Sequence, residues 1–143
     1  MSTPQNDSLI PFEQLKRGQE TTVPAIVLRV TPFRESDLIG HLLTPSMGKI
    51  SVIARHARGS RKRFPSSLDL FDRGSARLTV EKSGALGVKE FSPSHSLVRI
   101  RHDLDKLTLA SLLCEAFDLV IPEHGGHSTP HLFEILDLSL NAI

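Results

Sequence analysis

The densest chemistry in the chain lies between Lys49 and Arg63, which reads KISVIARHARGSRKR. This stretch holds Lys49, Arg55, Arg58, Arg61, Lys62 and Arg63, together with His56, and no acidic residue. Six of the 17 basic residues thus fall within 15 positions. Charges of one sign at this density repel one another until an anion neutralises them. Phosphate suits the task, because the planar guanidinium offers a fork of donors that matches its oxygens. A polyphosphate chain also releases condensed counterions when it is neutralised. A solvated basic loop with no partner is the plainer reading, since such runs are common. Phe64 follows the run directly, and Phe33 falls in the connection between the first two expected strands. Either ring could stack on a base, although a phenylalanine more often anchors a core. The candidate binding residues are therefore Lys49, Arg55, Arg58, Arg61, Lys62, Arg63 and Phe64.

Other chemistries find less support. Glu35 and Asp37 are two apart, a spacing that places both on one side of an extended chain. No partnered nucleophile, phosphate-cradling glycine loop or zinc-hydrolase motif accompanies them. They are better read as partners of Arg34 or of the basic loop. His124, His127 and His131 have ligand-like spacings, and Cys114 lies upstream. The intervening Gly125-Gly126 does not fix a tetrahedral site, so a solvated loop is the expectation. Neither a catalytic residue, a metal nor a cofactor is expected, and the chain is read as a non-enzyme.

The elements that must position the basic run are short strands. Thr22–Thr31 is rich in β-branched residues and should end at Pro32. Asp37–Thr44 and Lys49–Arg55 flank Thr44-Pro45-Ser46-Met47-Gly48, a turn that makes them a hairpin. In the second of these, Ile50, Val52 and Ala54 face one way and Lys49, Ser51, Ile53 and Arg55 the other. Ser75–Glu81 and Leu86–Phe91 complete a set of five. Five short strands imply a small barrel of the OB type, and pattern alone does not separate this from an SH3-like barrel. After Pro93 the periodicity becomes helical. Asp103 should cap a helix over Leu104–Ile121 whose apolar residues cover more than half its circumference, as in a helix buried on two sides. Thr129-Pro130 should open a second helix, His131–Ile143.

The fold class expected is α+β: a five-stranded OB-type barrel over residues 22–92, then the start of an α-helical domain over 93–143. Residues 1–21 are expected to be a partly disordered extension. The second helix is apolar to its last residue, which suggests a truncated domain. With 143 residues, 39% hydrophobic and 23% charged, the chain is an ordinary globular sequence with room for one domain or a little more. The net charge of +1 conceals a division. Residues 1–102 carry 16 basic and 9 acidic side chains (+7), whereas 103–143 carry 1 and 7 (−6). No apolar run is long enough to span a membrane, and the polar N-terminus does not read as a secretory signal. One cysteine allows no internal disulfide and fits a reducing cytoplasm.

Several of these pieces together resemble the bacterial recombination mediator family RecO. The resemblance runs from Ala25-Ile26-Val27-Leu28 through Glu35-Ser36-Asp37-Leu38-Ile39, Leu43-Thr44-Pro45 and Gly48-Lys49-Ile50. It continues through Ala54-Arg55, Ala57-Arg58, Arg61-Lys62-Arg63-Phe64 and Leu68…Phe71. Leu113-Cys114-Glu115-Ala116, Pro122-Glu123 and Leu132-Phe133-Glu134-Ile135-Leu136 are similar to the family's first central helices. The resemblance implies an N-terminal OB barrel that binds single- and double-stranded DNA. It also implies annealing of complementary strands, partnership with RecR and single-strand-binding protein, and help in loading recombinase. The family's basic region would map onto Lys49, Arg55, Arg58, Arg61, Lys62 and Arg63. The chain departs from the family in its N-terminal extension and in His56, which stands where glycine is usual. By this resemblance the sequence is expected to reach only the first part of the helical domain, ahead of the region that binds zinc in many relatives. Two other functions share these features: an RNA-binding OB module, which would use the same loop, and a protein-interaction adaptor that docks through its acidic helices.

Overall fold

The computed structural model describes residues 15–58, 68–95, 97–123 and 129–143. Five runs form strands: β1 (Glu20–Phe33), β2 (Asp37–Thr44), β3 (Gly48–Ala54), β4 (Arg73–Val80) and β5 (Leu86–His95). They close into a barrel in the order β1-β2-β3-β5-β4. Neighbours are antiparallel except β3 and β5, which meet in parallel at Ile53 and Gly87. This order, with its one parallel contact between the third and fifth strands, identifies an OB-type barrel and resolves the choice that the sequence pattern leaves open. The turn expected at Thr44–Gly48 is present. The Thr44 hydroxyl accepts from the Met47 N–H at 2.9 Å, and Gly48 takes φ 73°, which favours glycine.

β1 closes the barrel by serving two neighbours in succession. Glu20–Ile26 pairs with β4, and Ile26–Phe33 pairs with β2. This explains two prolines. The first strand was expected to end at Pro32 and the last at Phe91, yet β1 runs to Phe33 and β5 through Pro93 to His95. Pro32 pairs only with Leu38 of β2, and Pro93 only with Gly74 of β4. Each strand has a single neighbour at its proline, so no second ladder needs the missing N–H. Gly74 is required there, because an added Cβ would press on the Ser92 carbonyl.

Alternation along the strands builds two cores. Val23, Ala25, Val27, Leu42, Ile50, Val52, Leu78 and Phe91 fill the barrel. Ile26, Leu28 and Leu43 point outward and meet Phe71, Ile100, Cys114, Leu136 and Leu140 beneath the helices. Those helices are α1 (Val98–Arg101), α2 (Leu104–Val120) and α3 (Thr129–Ala142). Asp103 caps α2 as expected, its carboxylate accepting from the N–H groups of Asp105 and Lys106 at 3.0 and 3.2 Å. The expectation that α2 is buried on two sides is not met. Only Ala110, Cys114 and Asp118 are buried, while Leu104, Leu119 and Val120 stay about three-quarters exposed. The barrel covers one face of α2, and among the described residues nothing covers the other. No helix among the described residues is long and apolar enough to cross a membrane.

Cations from other elements meet the C-terminal ends of α2 and α3. Neither α2 nor α3 has a basic residue in its own last turn. Lys49 on β3 supplies one for α2. Its Nζ donates to the Asp118 carbonyl at 2.6 Å and lies 3.4 Å from Asp118 Oδ1, which also sits 2.8 Å from His41 Nδ1. Arg99 on α1 does the same for α3, donating to the carbonyls of Leu140 and Asn141 at 3.1 and 2.8 Å. Both contacts place positive charge where exposed helix carbonyls favour it.

The barrel itself carries a buried carboxylate, Asp37, only 6% exposed. It accepts the His56 N–H at 2.9 Å and lies 3.7 Å from Arg55. That backbone hydrogen bond, aided by the positive charges around it, holds its carboxyl below the ordinary carboxylate range. Glu81 is held below its range by Arg55, whereas burial pushes Asp72 up.

Two outcomes follow. Lys49→Met leaves buried Asp118 without its cation and should cost about 3 kcal/mol in urea unfolding; a loss under about 0.5 kcal/mol would show that the pair does not secure the helices. The lowered carboxyls of Asp37 and Glu81 bind protons more weakly when folded. Their stabilisation is complete above the ordinary carboxylate range and is lost as pH falls through it toward their folded values. Asp72 works with the opposite sign. Unfolding followed across acidic pH should therefore show a weaker acid dependence in Asp37→Asn than in the parent chain. Superimposable profiles would remove Asp37 from that role.

Candidate nucleic-acid interface

The basic run leaves the barrel at the end of β3, and the chain is bent there by residues in an unusual conformation. His56 has φ 57°, in the left-handed region. That geometry explains why glycine suits the position, and His56 occupies it with compensation. Its N–H is taken by Asp37, and its Nδ1 lies 3.3 Å from the Ser36 hydroxyl. The next residue, Ala57, is buried and anchors the loop. Arg58 then donates its N–H to the Ser36 carbonyl at 3.2 Å and its guanidinium to the Glu35 carbonyl at 3.1 Å. The exit of β3 is in this way stapled to the β1–β2 turn.

That turn brings its own cation. Arg34 has φ 55° and sets its guanidinium 5.0 Å from the centre of the Phe33 ring. Arg34, His56 and Arg58 are all exposed, so the staple gathers them on one edge of the barrel. Sequence reasoning placed Arg34 only as a partner for carboxylates and so missed it here. The available signal was its position in the first barrel turn, which in OB folds lies beside the strand 2–3 binding face.

The predicted residues divide into three groups. Arg58 stands at this edge, and its guanidinium has no carboxylate partner among the described residues. Arg55 also points to this edge but is engaged: its Nε and a terminal nitrogen donate to the two oxygens of Glu81 at 2.7 and 2.8 Å. Lys49 is elsewhere. It lies on the outward face of β3, as the alternation requires, but the helices cover that face, leaving it 9% exposed against Asp118. Arg61, Lys62, Arg63 and Phe64 lie outside the described residues.

The remaining candidates do not assemble. Glu35 is exposed on the turn while Asp37 is buried beneath it, so the two carboxylates form no pair. His124 and His127 lie outside the described residues, and His131 is exposed on α3. Cys114 is buried under α2, where burial pushes its thiol up to about 12. Among the described residues no three of His, Cys, Asp and Glu gather as metal ligands.

Comparison with known proteins agrees with this architecture. The family profile described as "Recombination protein O N terminal" matches residues 19–97, which span the whole barrel. The chain is 34% identical over 119 residues to the DNA repair protein RecO of Pelobacter propionicus, covering 83% of this chain and 48% of that protein. It is 33% identical over 118 residues to the DNA repair protein RecO of Symbiobacterium thermophilum, covering 82% and 46%. With the same-named protein of Geobacter metallireducens the identity is 32% over 125 residues, covering 87% and 50%. The chain spans about half the length of these curated relatives. The matched barrel, and relatives that share its sequence onward into the helices, establish that the chain belongs to the RecO family.

Proposed function

We propose that this chain is the nucleic-acid-binding part of a recombination mediator that acts in DNA repair and homologous recombination. In this reading residues 22–92 form the binding barrel and 93–143 begin a helical domain. The protein works in the cytoplasm without catalysing a reaction. It holds single- and double-stranded DNA, brings complementary strands together and helps recombinase load on single strands, with RecR and single-strand-binding protein as partners. Relatives named as DNA repair proteins support the role.

The observation that carries the proposal is the staple at the β3 exit. It fixes exposed Arg34, His56 and Arg58 at the point from which Arg61, Lys62 and Arg63 follow. Phosphates neutralised there release counterions, which favours binding without reading sequence. Arg55 contributes less while Glu81 holds it, and a phosphate must compete with that carboxylate. Lys49, engaged with Asp118, is left out of the proposed contact set.

Fluorescence anisotropy of a labelled oligothymidylate across a salt series tests this. Log affinity should fall with log salt by about 0.7 per phosphate neutralised. Replacing Arg58, Arg61, Lys62 and Arg63 by alanine should flatten the slope and weaken binding at least tenfold, about 1.4 kcal/mol. Glu81→Gln, which removes the carboxylate charge held against Arg55, should tighten binding. If the quadruple variant keeps the parental slope, the interface is misplaced. A strong preference for RNA over DNA of equal length would contradict the repair role.

A further inference from the structure

A second basic concavity lies on the other side of Arg55. The lining of a groove of about 570 Å³ includes Arg17, Gly18, Arg55, Glu81, Lys82 and Lys89. It adjoins a smaller one of about 340 Å³ that shares Arg55, Thr79, Glu81 and Lys89 and adds Arg77. Its walls are two built turns. On one side the Gln19 N–H returns to the Lys16 carbonyl at 3.0 Å, and Gly18, at φ 77°, donates its N–H to Val80 at 3.2 Å. This fixes the turn carrying Arg17 against the end of β4. On the other side Glu81 and Ala85 close the β4–β5 turn through a 2.8 Å backbone bond, and Lys82 projects from it.

The charges in the groove do not cancel. Four cations face one carboxylate, Glu81, which Arg55 already holds. Lys89 meets Glu20 at 3.3 Å in a pair about half exposed on each side, a contact that is weak and easily screened. Among the described residues the side chains of Arg17 and Lys82 have no partner. Two cations with no partner among the described residues, each on a hydrogen-bonded turn at a concave surface, are arranged for an anion, and Arg55 joins this surface to the β3 exit.

We infer that the groove is a second phosphate site, which takes up the backbone of the same single strand after it passes Arg55. The inference rests on the proposed nucleic-acid binding and adds a path: from Arg58, past the Arg55–Glu81 pair, to Arg17 and Lys82. Arg17, Lys82 and Lys89 lie outside the basic run, so the run's own sequence signal does not reveal them.

The test is the double variant Arg17→Gln/Lys82→Gln in the full chain. Both side chains are exposed and have no partner among the described residues, so its thermal midpoint should match the parent. With oligothymidylate its salt slope should drop by about 1.4, two phosphates at about 0.7 each. Unchanged slope and affinity, in a parent that binds with salt dependence and loses binding in the β3-exit variant, would overturn the groove alone. A parent with no salt-dependent binding would overturn the groove together with the proposed function. Inorganic phosphate provides the other arm. A thermal stabilisation by phosphate that the double variant abolishes, with strand binding unaltered, would assign the groove to a small anion and defeat the strand path.

Discussion

Asp37 accepts the amide hydrogen of His56 at 2.9 Å, and the geometry of the basic edge depends on that bond. A buried carboxylate at the start of β2 needs donors, and the chain leaving β3 provides one only if it turns sharply at His56. The turn requires a left-handed residue, and that residue then lies against Ser36. Arg58 is drawn to the Glu35 and Ser36 carbonyls as a result. One hydrogen bond thus converts a flexible exit into a fixed origin for the residues that follow.

The protein uses its cations in two ways. Lys49, Arg99 and Arg101 are structural. The first two bind helix C-termini, and Arg101 joins Asp69 and Asp72 while lying 4.4 Å from the Phe71 ring centre. Arg34, Arg58, Arg17 and Lys82 are presented to solvent. Arg55 stands between the groups, bonded to Glu81 yet 42% exposed. A charge count over the sequence cannot distinguish these uses, because the difference lies in what packs over each side chain.

This is why some of the architecture was legible and some was not. Alternation along Lys49–Arg55 put Ile50, Val52 and Ala54 on one face, and that face is the barrel interior, because period two is a local property. Asp103 was legible as a cap for the same reason. The engagement of Lys49 was not legible because its partner, Asp118, lies 69 residues away. Pro32 was read as a strand end and the last strand was stopped at Phe91, short of Pro93, but whether a proline is tolerated depends on how many neighbours the strand has, a tertiary fact. The two-sided burial of α2 failed likewise: apolar periodicity shows which residues could be covered, and only packing decides which are. Of the site, the density of charge was visible in the sequence, whereas the joining of Arg34 to Arg58 across the barrel edge was not.

The most direct test of the account is an amide NMR titration of the chain with oligothymidylate. Shift changes should concentrate at Arg34–Ser36 and Arg55–Arg58 and extend along the residues that follow, with α2 and α3 little affected. Changes concentrated on the exposed face of α2, with the β3 exit unmoved, would contradict it.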